Sequence, residues 1–217
     1  NCSENPLNSA STSTCTGNWE PRGRCGCKTG KRPARHRARR GSCTIYRSIC
    51  QKPRIKCGEC RHKNFKPLDF DAVYDHLSGK HVTGLYPLLP DSSCYLLAAD
   101  FDKGDWKANV RALAQACRGE GVPYLMEVSR SGAGAHLWVF FSEAVQASSA
   151  RRLGFKLLDK AMELHPGLSF DSYDRLFPNQ DTMPDGGFGN LIALPLQHEA
   201  RSRGCTVFVD DNFAPYP

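Results

Sequence analysis

The 217-residue sequence has no apolar run near the roughly 20 residues that a membrane-spanning helix needs; runs such as Tyr95 to Ala99 stop far short. A transmembrane helix is therefore excluded. There is no basic-then-apolar leader at the start, and without one an odd total of 11 cysteines argues against a framework of paired disulfides. Metal-bound or free thiols in a reducing compartment are the expectation. The chain begins at Asn1 rather than Met and stops at Pro217 in mid-flow, as a fragment would. Residues 1–47 lack both 3.6- and 2-residue apolar periodicity, so no stable fold is predicted there. Acids are scarce in the same region: residues 1–66 carry 16 Lys/Arg against Glu4, Glu20 and Glu59, about +13. The remaining 151 residues then hold 13 basic and 19 acidic side chains, about −6, so the overall +7 comes from the N-terminal third. Nucleic acid is the partner that such a basic segment suits.

What is present elsewhere is ordinary globular material. An apolar content of 40% with 24% charged residues excludes wholesale disorder and fibrous structure. Eight cysteines fall in the first 60 residues, and Cys50 to Cys60 (CQKPRIKCGEC) forms a compact Cys/Lys/Arg knot. We divide the chain into 1–47, a Cys-rich segment over 48–66, and a main domain over 67–217 that is expected to be truncated at its C-terminal end. In the last of these, Phe70, Val73, Tyr74 and Leu77 recur at helical spacing, with Gly79 as a stop. Cys94 to Phe101 (CYLLAADF) reads as a buried strand, and a helix follows from Asp105 with Trp106, Val110, Leu113, Ala114 and Cys117 on one face. Tyr124 to Val128 and His136 to Phe141 flank a tight Ser131-Gly132-Ala133-Gly134 turn, a hairpin signature. Glu143 to Leu164 is an amphipathic helix, then come an acidic segment over Phe170 to Asp181, a Gly-rich turn at Gly186 to Gly189, and short strands at Leu191 to Leu196 and Thr206 to Val209. The order predicts an α/β (α+β) sandwich, with helices packed on a largely antiparallel sheet.

Two constellations carry chemistry. Asp100 and Asp102 end the first core strand, and a two-residue separation puts both carboxylates on one face, where like charges repel unless they share a cation. That is a divalent-metal clamp suited to phosphoryl transfer. One helix and one strand later, the turn's glycines let backbone N–H groups approach a triphosphate, while Ser131 and His136 can donate to its oxygens. In the N-terminal third, Cys57-x2-Cys60 has the spacing of a zinc knuckle, which Cys50 and Cys43 would complete, with His62 as the reserve fourth ligand.

Asp100-Phe101-Asp102, Ser131 to His136 and a later acidic segment resemble, in order and spacing, the three motifs of the archaeo-eukaryotic primase superfamily. The strings HLSG (76–79), TGLYPLL (83–89), LAADFDKGDW (97–106), SYDRLFPNQDT (172–182) and GGFGNLIALPLQ (186–197) look like the primase-polymerase domain of TOTE conflict systems, from about Ile49 onward. Upstream, GKRPARHRARRGSCTIYRS has the Arg/Pro/Ser/Cys bias of an out-of-frame reading of a GC-rich gene. The resemblance implies a two-layer core related to the RNA-recognition fold. It implies template-directed synthesis from nucleoside triphosphates with two Mg2+ or Mn2+ ions, on a nucleic acid template such as single-stranded DNA. It also implies a helicase in the same full-length chain and work in the cytoplasm of a prokaryotic cell. Carried over, Asp100 and Asp102 match the metal pair, and Ser131, Gly132, Gly134 and His136 the triphosphate motif. Asp174 is the first choice for the third acid and Asp171 the alternative, since in an extended segment only one of them can face the pair. Arg175, Asn179 and Gln180 would help position nucleotide or template. Against this stand a zinc-knuckle binding module with an idle core, and a metal-dependent nuclease on the same carboxylates.

Overall fold

The computed structural model describes residues 66–217 apart from 168 and 186–188, together with three upstream strands. Those strands are β1 (Ser13–Gly17), β2 (Ala34–Arg37) and β3 (Ser42–Ile45). The rest follows as β4 (Lys66–Pro67), α1 (Phe70–Leu77), β5 (Val82–Leu85), β6 (Ser93–Asp102), α2 (Trp106–Gly119), β7 (Leu125–Val128) and β8 (Gly134–Gln146). Then come α3 (Ala147–Leu164), β9 (Tyr173–Phe177), β10 (Ile192–Ala193), α4 (His198–Arg201) and β11 (Phe208–Val209). The expected zinc segment, with Cys50, Cys57, Cys60 and His62, lies outside the described residues, as does most of 1–47 and part of the turn expected at Gly186 to Gly189. Cys43 falls in β3. The three strands in 1–47 arise where the sequence has no alternating pattern, and β1 takes its ladder from β5 rather than from any local preference.

The molecule is a mixed α/β structure of antiparallel sheets with packed helices. Its main sheet has the order β11-β7-β8-β6-β9, with every neighbouring pair antiparallel. Because the side-chain period on a strand is two, directly opposed residues share a face, and the sheet can be read as transverse rows. One row runs Val209, Met126, Leu137, Ala99, Leu176, and packs under α2 and α3 against Val110, Leu113, Cys117, Leu157, Leu158 and Ala161. Neighbouring rows face the other way. Leu125, Trp138, Ala98 and Phe177 lie on that second face, where Leu85 of β5 and Ile192 of β10 cover them. The small sheet β10-β5-β1-β4 thus adds a partial third layer to the two that the element order predicts. Its pairing of Leu85 with Ile192 joins segments more than 100 residues apart, which no local pattern announces.

Two predicted boundaries shift for physical reasons. The helix expected from Glu143 begins at Ala147, because Val145 and Gln146 still pair with Cys94 and Ser93 and so prolong β8. In α1 the repeating Phe70, Tyr74 and Leu77 lie on the exposed side, and it is Ala72 and His76 that face inward. His76 is pinned at both ring nitrogens: Thr83 N–H donates to Nδ1 (3.0 Å), and Nε2 donates to the Pro195 carbonyl (2.8 Å). Burial holds its pKa below the usual histidine value, so it acts as a neutral bridge between α1, β5 and the approach to α4. Thr83 Oγ1 adds a bond to the Ala72 carbonyl (3.1 Å). Two of the strings that carry the resemblance, HLSG and TGLYPLL, meet at this joint.

Candidate active site

Beyond the row that the small sheet covers lies the next row on the same face: Phe208, Glu127, His136, Asp100, Arg175. Four adjacent strands therefore present an acid, an imidazole, an acid and a guanidinium side by side. The side chains of His136 and Asp100 keep 15% and 22% of their surface, so the row is lined by the fold yet reachable. Asp102, two residues on, projects on the same side and is exposed.

His136 Nε2 lies 3.4 Å from Asp100 Oδ1, and Nδ1 lies 3.0 Å from Glu127 Oε2. Burial alone would lower the pKa of this ring, but the hydrogen bonds and negative charges of Asp100 and Glu127 outweigh it and push it up to about 10. The imidazole is thus a cation at neutral pH, with N–H donors on both edges. Its ring stands edge-on to Trp138, with centroids 5.9 Å apart.

The turn between β7 and β8 is built by its own serines. Ser129 N–H bonds the Gly134 carbonyl (2.9 Å), Gly132 N–H bonds the Ser129 carbonyl (2.9 Å), and Ala133 N–H bonds Ser131 Oγ (3.2 Å). Gly132 sits at φ +74°, a left-handed conformation that favours glycine. Gly134 has a different reason: a Cβ there would collide with the Phe101 carbonyl of β6, so the absent side chain is what lets β8 lie against the Asp-x-Asp strand.

The third acidic segment reaches the pair through its backbone. Asp102 N–H donates to the Ser172 carbonyl (2.7 Å), and buried Asn109 of α2 donates to Ser172 Oγ (2.7 Å), clamping the segment down. Sequence reasoning missed Asn109, because a polar residue inside a helical pattern carries no signal of what lies across from it. Asp171 lies in the turn before β9, after Phe170 at φ +54°, so the segment is extended only from Tyr173 onward. Asp174 falls at an irregularity where β9 carries one extra residue between its pairings with Asp100 and Phe101. Its carboxylate is paired with Arg175 (2.5 and 2.6 Å). Among the described residues, no three acids, histidines or cysteines converge as a metal-holding group. Asp100 and Asp102 nonetheless fit a hard divalent ion by donor chemistry: two carboxylates on one face, with water able to fill other positions. Asn179 has its side-chain oxygen buried without a hydrogen-bond partner, and Gln180 Nε2 donates to the Thr182 carbonyl (3.2 Å).

Residues 32–217 match a family described as the archaeo-eukaryotic primase domain of TOTE conflict systems, so the match starts upstream of Ile49. Among solved structures, the polymerase domain from Mycobacterium tuberculosis ligase D in complex with DNA is 15% identical, with a TM-score of 0.37. That likeness covers 52% of this chain and 46% of that one, less than half its length. No curated protein matches the chain.

Proposed function

Given that the chain belongs to the archaeo-eukaryotic primase domains of TOTE conflict systems, we propose that it is a template-directed nucleotidyltransferase, a primase-polymerase that works in a conflict system beside a helicase. The observation that carries this reading is the juxtaposition of His136 and Asp100 in one row, beside a turn in which Ser131 and Gly132 lie exposed. In this reading the five-stranded sheet with α2 and α3 on one face is the RNA-recognition-like core. Asp100 and Asp102, with Asp174, would hold two Mg2+ or Mn2+ ions, which would supply charge neutralisation at the transferred phosphoryl group and activation of the primer 3′-hydroxyl.

The chain's own groups bind and orient. His136, cationic and held from behind, donates to an oxygen of the nucleoside triphosphate, and Ser131, Gly132 and Gly134 present hydroxyl and backbone donors to its neighbours. Arg175 stands next to Asp100 in the row, where its charge suits nucleotide or template, with Asn179 and Gln180 a few residues on. A single-stranded DNA template lies across the open face, aided by the basic N-terminal third. A zinc ion on Cys57, Cys60, Cys50 and Cys43 would brace that third, in keeping with the C-x2-C spacing. No side chain need act as a general base. The test is incubation with a primed template and labelled nucleotides, with and without Mn2+. Extension that survives replacement of both Asp100 and Asp102 by Ala would overturn the reading.

A further inference from the structure

Glu127 stands outside every motif that led to the site, yet it is the most deeply buried charged side chain in the row, with 2% of its surface left. A carboxylate taken out of water is costly unless donors replace its hydration. Here one oxygen, Oε2, receives two: Trp138 Nε1 donates at 2.7 Å and His136 Nδ1 at 3.0 Å. Both donors belong to β8, two residues apart on one face, and the acceptor comes from β7 across the hairpin. Trp138 is itself almost completely buried between the sheets, so the indole fixes the carboxylate and the carboxylate fixes the ring. With Nδ1 anchored, Nε2 is left on the edge that faces Asp100 and the open side of the row.

We propose that Glu127 is the positioning residue of this site: held by Trp138, it locks the His136 ring so that its Nε2 edge is presented to a triphosphate oxygen next to Asp100. This rests on the nucleotide-binding reading of His136 above, and adds to it a residue that touches neither nucleotide nor metal. The physical logic is that of any histidine whose working nitrogen is aimed by the hydrogen bond on its other nitrogen. No covalent step is involved.

The experiment measures dATP affinity by calorimetry with Mg2+ and no template, for the wild type, Glu127→Ala, Glu127→Gln, His136→Ala and the Glu127→Ala/His136→Ala pair. It also includes Trp138→Phe. Expected are a loss of about 10- to 100-fold for Glu127→Ala, and recovery of most of the affinity in Glu127→Gln, whose amide oxygen can accept from both donors. Glu127→Ala should weaken binding little further once His136 is gone. Trp138→Phe should lie between the wild type and Glu127→Ala. An equal loss with and without His136 would mean that Glu127 acts through general stability, and would overturn the proposal. So would a folded Glu127→Ala with unchanged affinity. Nitrogen NMR of the His136 ring in nucleotide-free protein gives a readout that does not depend on function: a slowly exchanging Nδ1–H in the wild type and in Glu127→Gln, absent in Glu127→Ala. If His136→Ala leaves affinity intact while that Nδ1–H signal is present, the nucleotide-site reading fails and this proposal falls with it; if His136→Ala weakens binding and Glu127→Ala does not, only the positioning role fails.

Discussion

Asp100 and Asp102 stand at the open end of a strand whose other residues are mostly buried, so replacing them removes charge from the site while the core keeps its contacts. Asp100→Asn with Asp102→Asn should abolish nucleotide incorporation and move the melting temperature by no more than a few degrees, as primer extension and thermal unfolding can show. Of the later acids, Asp174→Asn should lower the incorporation rate by orders of magnitude, and Asp171→Asn should be nearly neutral. Single-turnover rates for the two variants decide between them, and the reverse ranking would move the third ligand to Asp171. Three thiols of the core provide a separate check. Burial pushes Cys117 up to about 12 and Cys94 up to about 11, whereas Cys205 is half-exposed. At pH 8 an alkylating reagent followed by peptide mapping should therefore label Cys205 readily, and Cys94 and Cys117 only after unfolding. Their folded values lie above the usual thiol value. Their contribution to stability is thus complete below about pH 9 and falls as pH rises towards those raised values. At this scale the sequence was partly legible: Asp100, Asp102, Ser131 and His136 stood out because their spacing carries chemistry on one strand or turn. Glu127 did not, since its role exists only across the hairpin. Counting outward from a turn closed by Ser129 and Gly134 would have set it opposite His136, and a lone acid in the apolar run YLMEV was the available cue.

At the scale of elements, β6 and β8 meet so closely that a side chain is excluded at one point. Gly134→Ala would push a Cβ into the Phe101 carbonyl, which is backbone and cannot swing aside. A cost of about 1–3 kcal/mol is expected, with loss of activity beyond it because the row behind the turn would shift; denaturant unfolding and primer extension measure the two effects separately. His76 is the corresponding joint on the other sheet. Replacing it with Leu would leave Thr83 N–H and the Pro195 carbonyl buried without partners, for a loss of about 2–4 kcal/mol in equilibrium unfolding. The main helices and the hairpin were legible from periodicity and turn residues. The length of β8 was not, because its last residues are mostly exposed, do not alternate cleanly, and are strand by virtue of the partner at Ser93 and Cys94. The α1 stripe misleads in the opposite sense, its aromatic residues Phe70 and Tyr74 stacking with centroids 6.3 Å apart on the outside.

For the whole molecule, the charge asymmetry and the cysteine distribution set the expectation that the basic third braces itself on zinc and holds nucleic acid. Elemental analysis of purified protein should find about one zinc, and Cys57→Ser should lose it; a zinc-free wild type would remove the knuckle from the picture. The packing of β5 and β10 over part of the main sheet was invisible to periodicity, because β10 has two residues and β5 is buried at every position, so neither alternates. One further consequence belongs to the sheet as a whole. Every member of the row Glu127, His136, Asp100, Arg175 is supplied by a different strand, so a single residue gained or lost between Gly134 and Val139 would turn His136 or its neighbours to the helix side and dismantle the row at one stroke. Near the far end of the same strand pair the ladder already tolerates irregularity, between Cys94 and Leu96. Inheritance should therefore treat the two ends of β8 differently: descendants can lengthen or shorten the chain around residues 141–146, where the bulge takes up the slack, while the stretch from the turn to Val139 accepts substitutions but never a change in count.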